Sequence, residues 1–294
     1  MANVDDIPLA APPGVPDGRF VELPGRGTTF VREAPGPAGA PTLMLLHGWT
    51  ATSALNWFPA YRALATRFRV LAVDHRGHGF GIRSPERFRL ADCADDVAVL
   101  ADVMRIDRLI PVGYSMGGPI AQLVWHRHPE LVAGLVLCAT SRNFVGRSPA
   151  ERAWASGIEG LAWAARATPG HVRRRIADRV LLGRVESSEV GLWARQELRR
   201  NDPRALAEAG RALARFTSRD WIGEVDVPTA VVVTERDLVV HPRRQHNLAA
   251  AIPGAVAFPV PVGHDGAVGS PELFVPTLVD ACDEVAHRAA RRAR

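Results

Sequence analysis

The sequence contains no lysine, so its 36 basic side chains other than histidine are all arginine. The formal net charge is +5 and the pI is near 10.0, but uniform replacement of lysine by arginine is better explained by coding bias than by a binding patch. Basic charge without a recognition motif or an aromatic platform is a weak indicator of nucleic-acid binding. We therefore expect no nucleic-acid partner.

Cysteine is scarce as well. The chain has three cysteines, Cys93, Cys138 and Cys282, and no Cys-x-x-Cys pair. An odd number at wide spacings argues against a disulfide framework and against a structural zinc site. We expect buried free thiols in a reducing compartment.

Long apolar runs and a secretion signal are also missing. No stretch approaches the ~18 consecutive apolar residues that a membrane-spanning helix needs. The N-terminal residues MANVDDIPLAAPPG carry two acids and several prolines, whereas a signal peptide has a basic start and an apolar core. We therefore expect a cytoplasmic protein without stable membrane insertion.

The sequence does contain short, continuous apolar runs separated by segments of helical length. Apolar residues make up 47% of the 294 residues, which is enough for one large domain with an insertion. Such runs are typical of strands buried on both faces of a parallel sheet. We place strands at 20–23, 28–32, 42–46, 70–73, 109–112, 134–138, 229–234 and 255–260. Helices are expected at 57–67, 90–104, 117–128, 243–251 and 271–286, before a basic tail that frays at 287–294. The alternation predicts an α/β fold with a mostly parallel, doubly wound sheet.

Residues 143–221 interrupt this alternation because they lack a run typical of a buried strand. The segment is too long for an ordinary loop, and its pattern is that of several amphipathic helices. We predict a helical lid inserted into a core formed by residues 1–142 and 222–294.

The composition of this lid leaves two interpretations open. Residues 142–222 contain 16 Arg against 9 Asp plus Glu, which we interpret as a solvated face in preference to a site for an anionic substrate. Its tryptophans could form the interior of the lid or an apolar pocket for an acyl or aromatic group. The candidates for substrate binding are Trp154, Trp163 and Trp193.

The strongest local motif is Gly113-Tyr114-Ser115-Met116-Gly117-Gly118. It follows a predicted strand and precedes a predicted helix, which is the setting of the G-x-S-x-G nucleophile elbow. In so tight a turn, glycine at 113 and 117 removes Cβ atoms that would clash. The pattern predicts that Ser115 is a nucleophile at the carboxyl end of the sheet, where open α/β sheets bind ligands.

A second motif, His47-Gly48-Trp49, directly follows the predicted strand 42–46. A hydrolase that attacks a carbonyl must stabilise an oxyanion, usually with two backbone N–H groups from these two places in the chain. We predict that Trp49 and Met116 supply them. His47 is interpreted as a structural residue that braces the loop.

A third motif, Asp74-His75-Arg76-Gly77-His78-Gly79, follows the strand 70–73. Its polar side chains suit a hydrogen-bonded turn beside the site. Two histidines near an acid could suggest a metal ion, but no second cluster of ligands stands at metal spacing. We expect no metal site.

A serine nucleophile needs a base, and the base needs an acid that orients it. The acid precedes the base along chains with this nucleophile turn. His264 lies past the last predicted strand and is the expected base. Asp237 follows the strand 229–234 and is the expected acid, with Glu235 as the alternative. The loop 139–143 after the preceding strand has no carboxylate, which favours Asp237.

Taken in order, HGW, DHRGHG, GYSMGG, the Asp237 loop and VGHDG resemble the α/β-hydrolase family over residues 20–142 and 222–290. The pattern is most similar to the esterase, non-haem haloperoxidase-like and carbon–carbon hydrolase branches. Epoxide hydrolases and haloalkane dehalogenases are similar around HGW, but they have aspartate where this chain has Ser115. The resemblance implies a Ser-Asp-His triad and neither metal nor organic cofactor.

We expect a serine hydrolase that cleaves a carboxylic ester, with an apolar small molecule as its substrate. A carbon–carbon bond hydrolase and an acyltransferase use the same triad and stay open as alternatives. A non-catalytic ligand-binding homologue is less compatible with an intact triad. The oligomeric state is not readable from the sequence.

Overall fold

The computed structural model describes residues 11–12, 14–146, 149–182 and 188–292, apart from the side chains at 149–152, 154–155 and 181–182. An eight-stranded sheet runs through the described chain. Its strands are β1 (Gly18–Leu23), β2 (Gly27–Ala34), β3 (Thr42–Leu46), β4 (Arg69–Val73), β5 (Ile110–Tyr114), β6 (Leu135–Cys138), β7 (Thr229–Thr234) and β8 (Val256–Val260).

The strand order is β1-β2-β4-β3-β5-β6-β7-β8. Both pairings of β2 are antiparallel, whereas β4, β3 and β5 to β8 pair in parallel. This confirms the prediction of a mostly parallel sheet. Register places Leu46 beside Gly113, and Tyr114 beside Cys138. The loops that leave the carboxyl ends of β3, β5 and β6 therefore meet at one edge, where the candidate motifs lie.

Helices cover both faces of the sheet, as expected for a doubly wound fold. They are α1 (Ser53–Trp57), α2 (Tyr61–Ala65), α3 (Leu90–Val103), α4 (Gly117–Arg127), α5 (Pro149–Ala167), α6 (Gly170–Leu182), α7 (Glu189–Arg199), α8 (Pro203–Arg215), α9 (Pro242–Ala251), α10 (Gly266–Gly269) and α11 (Pro271–Arg292). One buried cluster joins the sheet to α3, α4 and α9, and a second joins the opposite face to α1, α2 and α11.

Two helix predictions were wrong in extent. In place of one helix at 57–67, α1 ends at Trp57 and the short α2 covers Tyr61–Ala65, because Pro59 between them lacks the N–H that a continuous helix needs. At the other end, α11 continues to Arg292 and does not fray after 286. Its last turn is fixed to the core, since the Arg292 guanidinium donates to the carbonyl oxygen of Asp226.

Helices α5 to α8 occupy the segment predicted as a lid. An isolated antiparallel bridge between Asn143 and Thr217 joins the places where this segment leaves and re-enters the core. The start of α8 is fixed by the Asp202 side chain, which accepts the Arg204 N–H at 2.8 Å, and by the Asp202 N–H, which donates to Gly77. The segment is therefore attached to the core at its hinge and along α8.

The prediction of buried free thiols is confirmed, since Cys93, Cys138 and Cys282 are buried and unbridged. In the described part of the chain, none of the helices has the length and apolar character that crossing a bilayer requires.

Candidate active site

Ser115, His264 and Asp237 form one chain of hydrogen bonds in the loops after β5, β8 and β7. The Oγ of Ser115 lies 3.0 Å from Nε2 of His264, and Nδ1 of His264 lies 2.7 Å from Oδ2 of Asp237. Because a carboxylate only accepts hydrogen bonds, the imidazole carries its proton on Nδ1, and Nε2 accepts the Ser115 hydroxyl. In this arrangement a histidine can take the serine proton.

Asp237 is buried, and its surroundings favour the charged form. Four further donors contact it: the Val239 and Val240 amides, each 2.8 Å from Oδ1, the Thr234 hydroxyl, 2.8 Å from Oδ2, and the Gln245 amide, 3.2 Å from Oδ2. Burial raises the pKa of Asp237, but the hydrogen bond and charge of His264, with the Val240 and Thr234 donors, outweigh it and lower the pKa below 3.8. The carboxylate is therefore ionised at neutral pH.

Glu235, the alternative acid, lies elsewhere. Its carboxylate is partly exposed and accepts a hydrogen bond of 2.9 Å from Nε2 of His246 on α9. The carboxylate that the structure brings to His264 is that of Asp237.

Ser115 adopts a left-handed backbone conformation with φ of 50°. A Cβ atom at Gly113 would overlap the backbone of Gly117, and one at Gly117 would overlap the carbonyl of Leu46. The Ser115 N–H donates to the carbonyl of Cys138 at 2.9 Å, which fixes the turn to β6. A strained turn of this kind holds the hydroxyl at the sheet edge, before α4 begins.

The two amides expected to form an oxyanion hole lie on either side of this turn. Met116 directly follows Ser115 at the start of α4, and Trp49 and Ser115 line the same cavity. Within the described residues, neither amide N–H has a backbone acceptor. Both are therefore free to donate to an oxygen bound in front of Ser115.

The loop 48–52 is fixed from two sides. From the core, the Asn56 side chain accepts the Gly48 N–H at 2.8 Å. From the lid segment, the Leu206 carbonyl accepts the Trp49 indole N–H at 2.8 Å, and Glu197 accepts the Thr52 hydroxyl at 2.7 Å. The Trp49 indole thus points to α8, and the backbone of Trp49 faces the cavity.

Three buried histidines lie behind this loop. Nδ1 of His47 donates to the Gly48 carbonyl at 2.8 Å, and its Nε2 accepts the His75 N–H at 3.0 Å. Burial lowers the pKa of His47 to about 4, so the ring is neutral and structural. Asp74 accepts the amides of Ser53 and Phe80, as expected for a hydrogen-bonded turn. No group of three or more potential metal ligands is present among the described residues.

A cavity of about 220 Å³ opens at Ser115. Besides Ser115 and His264, its walls are formed mainly by backbone and apolar side chains, with one carboxylate. The other lining residues are Gly48, Trp49, Ala51, Leu55, Asn56, Tyr114, Asp265, Ala267 and Val268. A site of this size and character suits a small, largely apolar group next to the nucleophile.

Neither of the two described candidate tryptophans of the lid segment, Trp163 and Trp193, lines this cavity. Trp163 on α5 is 74% exposed and lines a separate cleft between α5 and α8. Trp193 on α7 is buried against Phe58, with ring centroids 5.5 Å apart. The side chain of Trp154 lies outside the described residues.

Several residues at the site were not found from the sequence. Gln245 donates to the Thr234 hydroxyl, the Val240 carbonyl and Asp237, and so fixes the acid loop. Asn56 fixes the loop 48–52 in the same way. Each is one polar residue in a helix, and its contact with a loop about two helical turns earlier in the chain follows no motif that the sequence displays.

Comparisons with known proteins agree with this architecture. A sequence model described as "alpha/beta hydrolase fold" matches residues 41–269. The pimeloyl-[acyl-carrier protein] methyl ester esterase of Chromobacterium violaceum is 29% identical over 267 residues, which are 89% of this chain and 96% of that protein.

Two solved structures are similar over nearly their whole length. A hydrolase from Pseudomonas aeruginosa PA01 has a TM-score of 0.75 and 25% identity, covering 90% of this chain and 98% of its own. The enol-lactonase from Burkholderia xenovorans LB400 has a TM-score of 0.73 and 26% identity, covering 90% of this chain and 100% of its own. With the family model matching most of the chain, this protein belongs to the alpha/beta hydrolase fold family.

Proposed function

We propose that this protein hydrolyses carboxylic esters through an acyl-enzyme on Ser115. The observation that carries the proposal is the hydrogen-bonded chain from Ser115 through His264 to Asp237, at the wall of a cavity. A hydroxyl is a weak nucleophile until an adjacent base removes its proton, and the base needs a partner that fixes its tautomer.

In the first half of the reaction, Ser115 Oγ attacks the ester carbonyl carbon while His264 Nε2 takes the hydroxyl proton. Asp237 holds the Nδ1 proton and stabilises the imidazolium that forms. The carbonyl oxygen becomes an oxyanion, to which the Trp49 and Met116 amides donate. When the intermediate collapses, the C–O bond to the alcohol breaks, and the alkoxide leaves with the proton from His264.

In the second half, a water molecule attacks the acyl carbon, and His264 takes one of its protons. A second tetrahedral intermediate forms and collapses, which breaks the bond to Ser115 Oγ. The serine oxygen recovers its proton from His264 and the carboxylic acid leaves. Water supplies all the atoms that are added, so neither a cofactor nor a metal ion enters these steps.

The substrate class is argued from the cavity. Its volume of about 220 Å³ and its mostly apolar wall suit a short acyl or small alcohol group. Two of the similar proteins, a methyl ester esterase and an enol-lactonase, are named for cleavage of an ester bond. These names support an ester in preference to a carbon–carbon bond as the reactive group.

The test is the turnover of p-nitrophenyl esters of increasing acyl length by the wild-type protein and by Ser115→Ala. We expect activity that is highest for short acyl chains and lost in Ser115→Ala, which removes the nucleophile while the melting temperature is unchanged. Labelling of Ser115 by a fluorophosphonate, detected by mass spectrometry, checks that the serine is activated. Equal turnover by both proteins would overturn the proposal, as would activity confined to carbon–carbon bond cleavage.

A further inference from the structure

A second cavity, of about 380 Å³, lies where the lid segment leaves and re-enters the core. Three separate segments form its walls: residues 141–146 after β6, the returning chain at Arg219, and the start of α9. Its lining residues are Ser141, Arg142, Asn143, Gly146, Arg219, His241, Arg243, Arg244 and Asn247. None of them lines the cavity at Ser115.

The charged side chains described at this cavity are all basic. Four arginines and a histidine line it, and no carboxylate stands among the described lining residues. Other clefts of the protein combine both signs: in the cleft between α5 and α8, Arg166 pairs with Glu208, and Arg211 with Glu159. Guanidinium groups gathered at one place repel one another and attract an anion.

Neutral oxygens orient two of these side chains. Oδ1 of Asn143 accepts Nε–H of Arg219 at 3.1 Å, and the Asn143 carbonyl accepts from Arg244 at 3.2 Å. For Arg219, this neutral acceptor holds the guanidinium in place without cancelling its charge. Arg142, Arg219 and Arg243 form no ion pair with any described residue.

The backbone adds to the positive potential. His241 is the N-cap of α9, where its Nδ1 accepts the Arg243 N–H at 3.2 Å. The start of this helix therefore faces the arginine cluster, and a helix N-terminus favours an anion. The arginine side chains add positive charge to the site independently of this helix N-terminus.

We propose that this cavity binds a phosphate group, carried by a small phosphorylated molecule. Arginine matches the oxygens of phosphate with paired hydrogen bonds, and a phosphate ester carries close to two negative charges at neutral pH. Three guanidinium groups without ion pairs suit a ligand with two negative charges better than they suit a ligand with a single carboxylate. The volume lies near the lower end of the range for small-molecule sites, so it accommodates the phosphate and part of its carrier.

The cavity lies where the lid segment joins the core, so a ligand bound there contacts both ends of the segment. The Ser218 N–H donates to the Arg142 carbonyl at 2.9 Å, so the two hinge strands of the lid segment already lie side by side. A phosphate between Arg142, Arg219 and Arg243 joins both hinge strands to α9. The loop that precedes α9 carries Val240, whose N–H donates to Asp237. The ligand therefore binds beside the acid of the candidate triad and at the hinge of the lid segment.

The test is titration calorimetry of the full chain with inorganic phosphate and with phenyl phosphate at low ionic strength. Wild type is compared with the double variant Arg142→Gln, Arg219→Gln. The matched control is Arg62→Gln, Arg89→Gln, which loses the same charge at exposed sites outside all the cavities described above. We expect the dissociation constants to rise at least about tenfold in the first variant and to stay unchanged in the control.

A loss of affinity that is equal in both variants would overturn the proposal, because it would reflect net charge alone. Absence of phosphate binding by the wild type would also overturn it, as would binding that neither variant weakens. Steady-state turnover of an uncharged ester then distinguishes two possible carriers of the phosphate group, the substrate and a separate ligand. If added phosphate raises KM competitively, the phosphate group belongs to the substrate. If KM is unchanged, the phosphate group belongs to a separate ligand. Either result supports the site when the first variant also shows the expected loss of phosphate affinity.

Discussion

The side-chain amide of Asn201 donates a hydrogen bond of 2.6 Å to the carbonyl oxygen of Thr50. Thr50 has a left-handed backbone, with φ of 68°, and directly follows Trp49 in the oxyanion loop. Asn201 lies between α7 and α8, is buried, and its Oδ1 accepts the Gly79 N–H at 2.8 Å. The lid segment therefore holds in place a strained residue that directly follows Trp49.

This relationship makes Asn201 a positioning residue for the proposed reaction. In Asn201→Asp the retained Oδ1 still accepts the Gly79 N–H, but the second oxygen cannot donate to Thr50 and repels its carbonyl. We expect kcat for ester hydrolysis to fall roughly tenfold to hundredfold with little change in KM, since loss of a whole oxyanion donor costs about 10²- to 10³-fold. Steady-state kinetics on a short p-nitrophenyl ester measure both constants.

Leu192→Ala serves as the control on the lid segment, because Leu192 is exposed on α7 and lines none of the cavities. Its kcat should equal that of the wild type. If Asn201→Asp raised KM and left kcat unaltered, the residue would act on substrate binding and not on the oxyanion loop.

The acid of the candidate triad is tested by Asp237→Asn. The amide keeps the shape of the side chain, but it offers a donor to His264 Nδ1 and so favours the wrong imidazole tautomer. We expect kcat to fall by about 10³- to 10⁴-fold. Glu235→Gln is the matched control, because Glu235 lies two residues away and contacts His246; its kcat should be unchanged. A larger loss in Glu235→Gln than in Asp237→Asn would reassign the acid.

The sheet and the loops after its strands were predictable because each carries a local signal. Buried parallel strands appear as continuous apolar runs, and all eight strands lie close to the predicted ranges. Glycine is required at 113 because a Cβ atom there would meet the backbone of Gly117 in the same turn, and at 117 because a Cβ atom there would meet Leu46 on the adjacent strand. Since β5, β7 and β8 are parallel, residues after their ends meet at one edge, which is why Ser115, Asp237 and His264 could be grouped without coordinates.

The remainder of the site depends on contacts between distant segments. Asn201 and Thr50 are 151 positions apart in the chain, and no spacing rule relates them. The direction of each lid helix decides whether its tryptophan meets solvent, as Trp163 does, or the interior, as Trp193 does. Amphipathic patterning indicates that a face is buried, but not which surface it is buried against.

Gly117 offers a test of the nucleophile turn. In Gly117→Ala the new Cβ meets the backbone carbonyl of Leu46, which cannot move without disturbing β3. We expect a loss of about 2 kcal/mol or more in the free energy of unfolding, and slower labelling of Ser115 by a fluorophosphonate. Urea denaturation and timed mass spectrometry measure the two effects.

Gly157→Ala is the matched control, since Gly157 lies in α5 with no atom near its potential Cβ. The same substitution there should be neutral or stabilise by up to about 1 kcal/mol, because alanine favours a helix. Normal labelling and stability in Gly117→Ala would show that the turn tolerates a side chain.

The buried histidines behind the oxyanion loop predict how stability depends on pH. Burial lowers the pKa of His78 to about 3 and that of His47 to about 4, while each takes up a proton near 6.5 when the chain unfolds. Below about pH 6.5 the unfolded state therefore binds more protons than the folded state, and stability falls as pH falls. Each such histidine contributes a slope of up to about 1.4 kcal/mol per pH unit.

The variant His78→Asn tests how much one of these histidines contributes to the pH dependence of stability. The Asn side-chain amide can replace His78 Nδ1, which contacts the Arg76 carbonyl at 2.9 Å, but it does not titrate. The free energy of unfolding, measured with urea between about pH 7 and about pH 5, should therefore depend on pH less steeply, by up to one proton. His171→Asn, at an exposed position on α6, should leave the slope unchanged. An equal slope in wild type and His78→Asn would mean that His78 is already protonated in the folded protein, which its buried Nε2 without a described partner argues against.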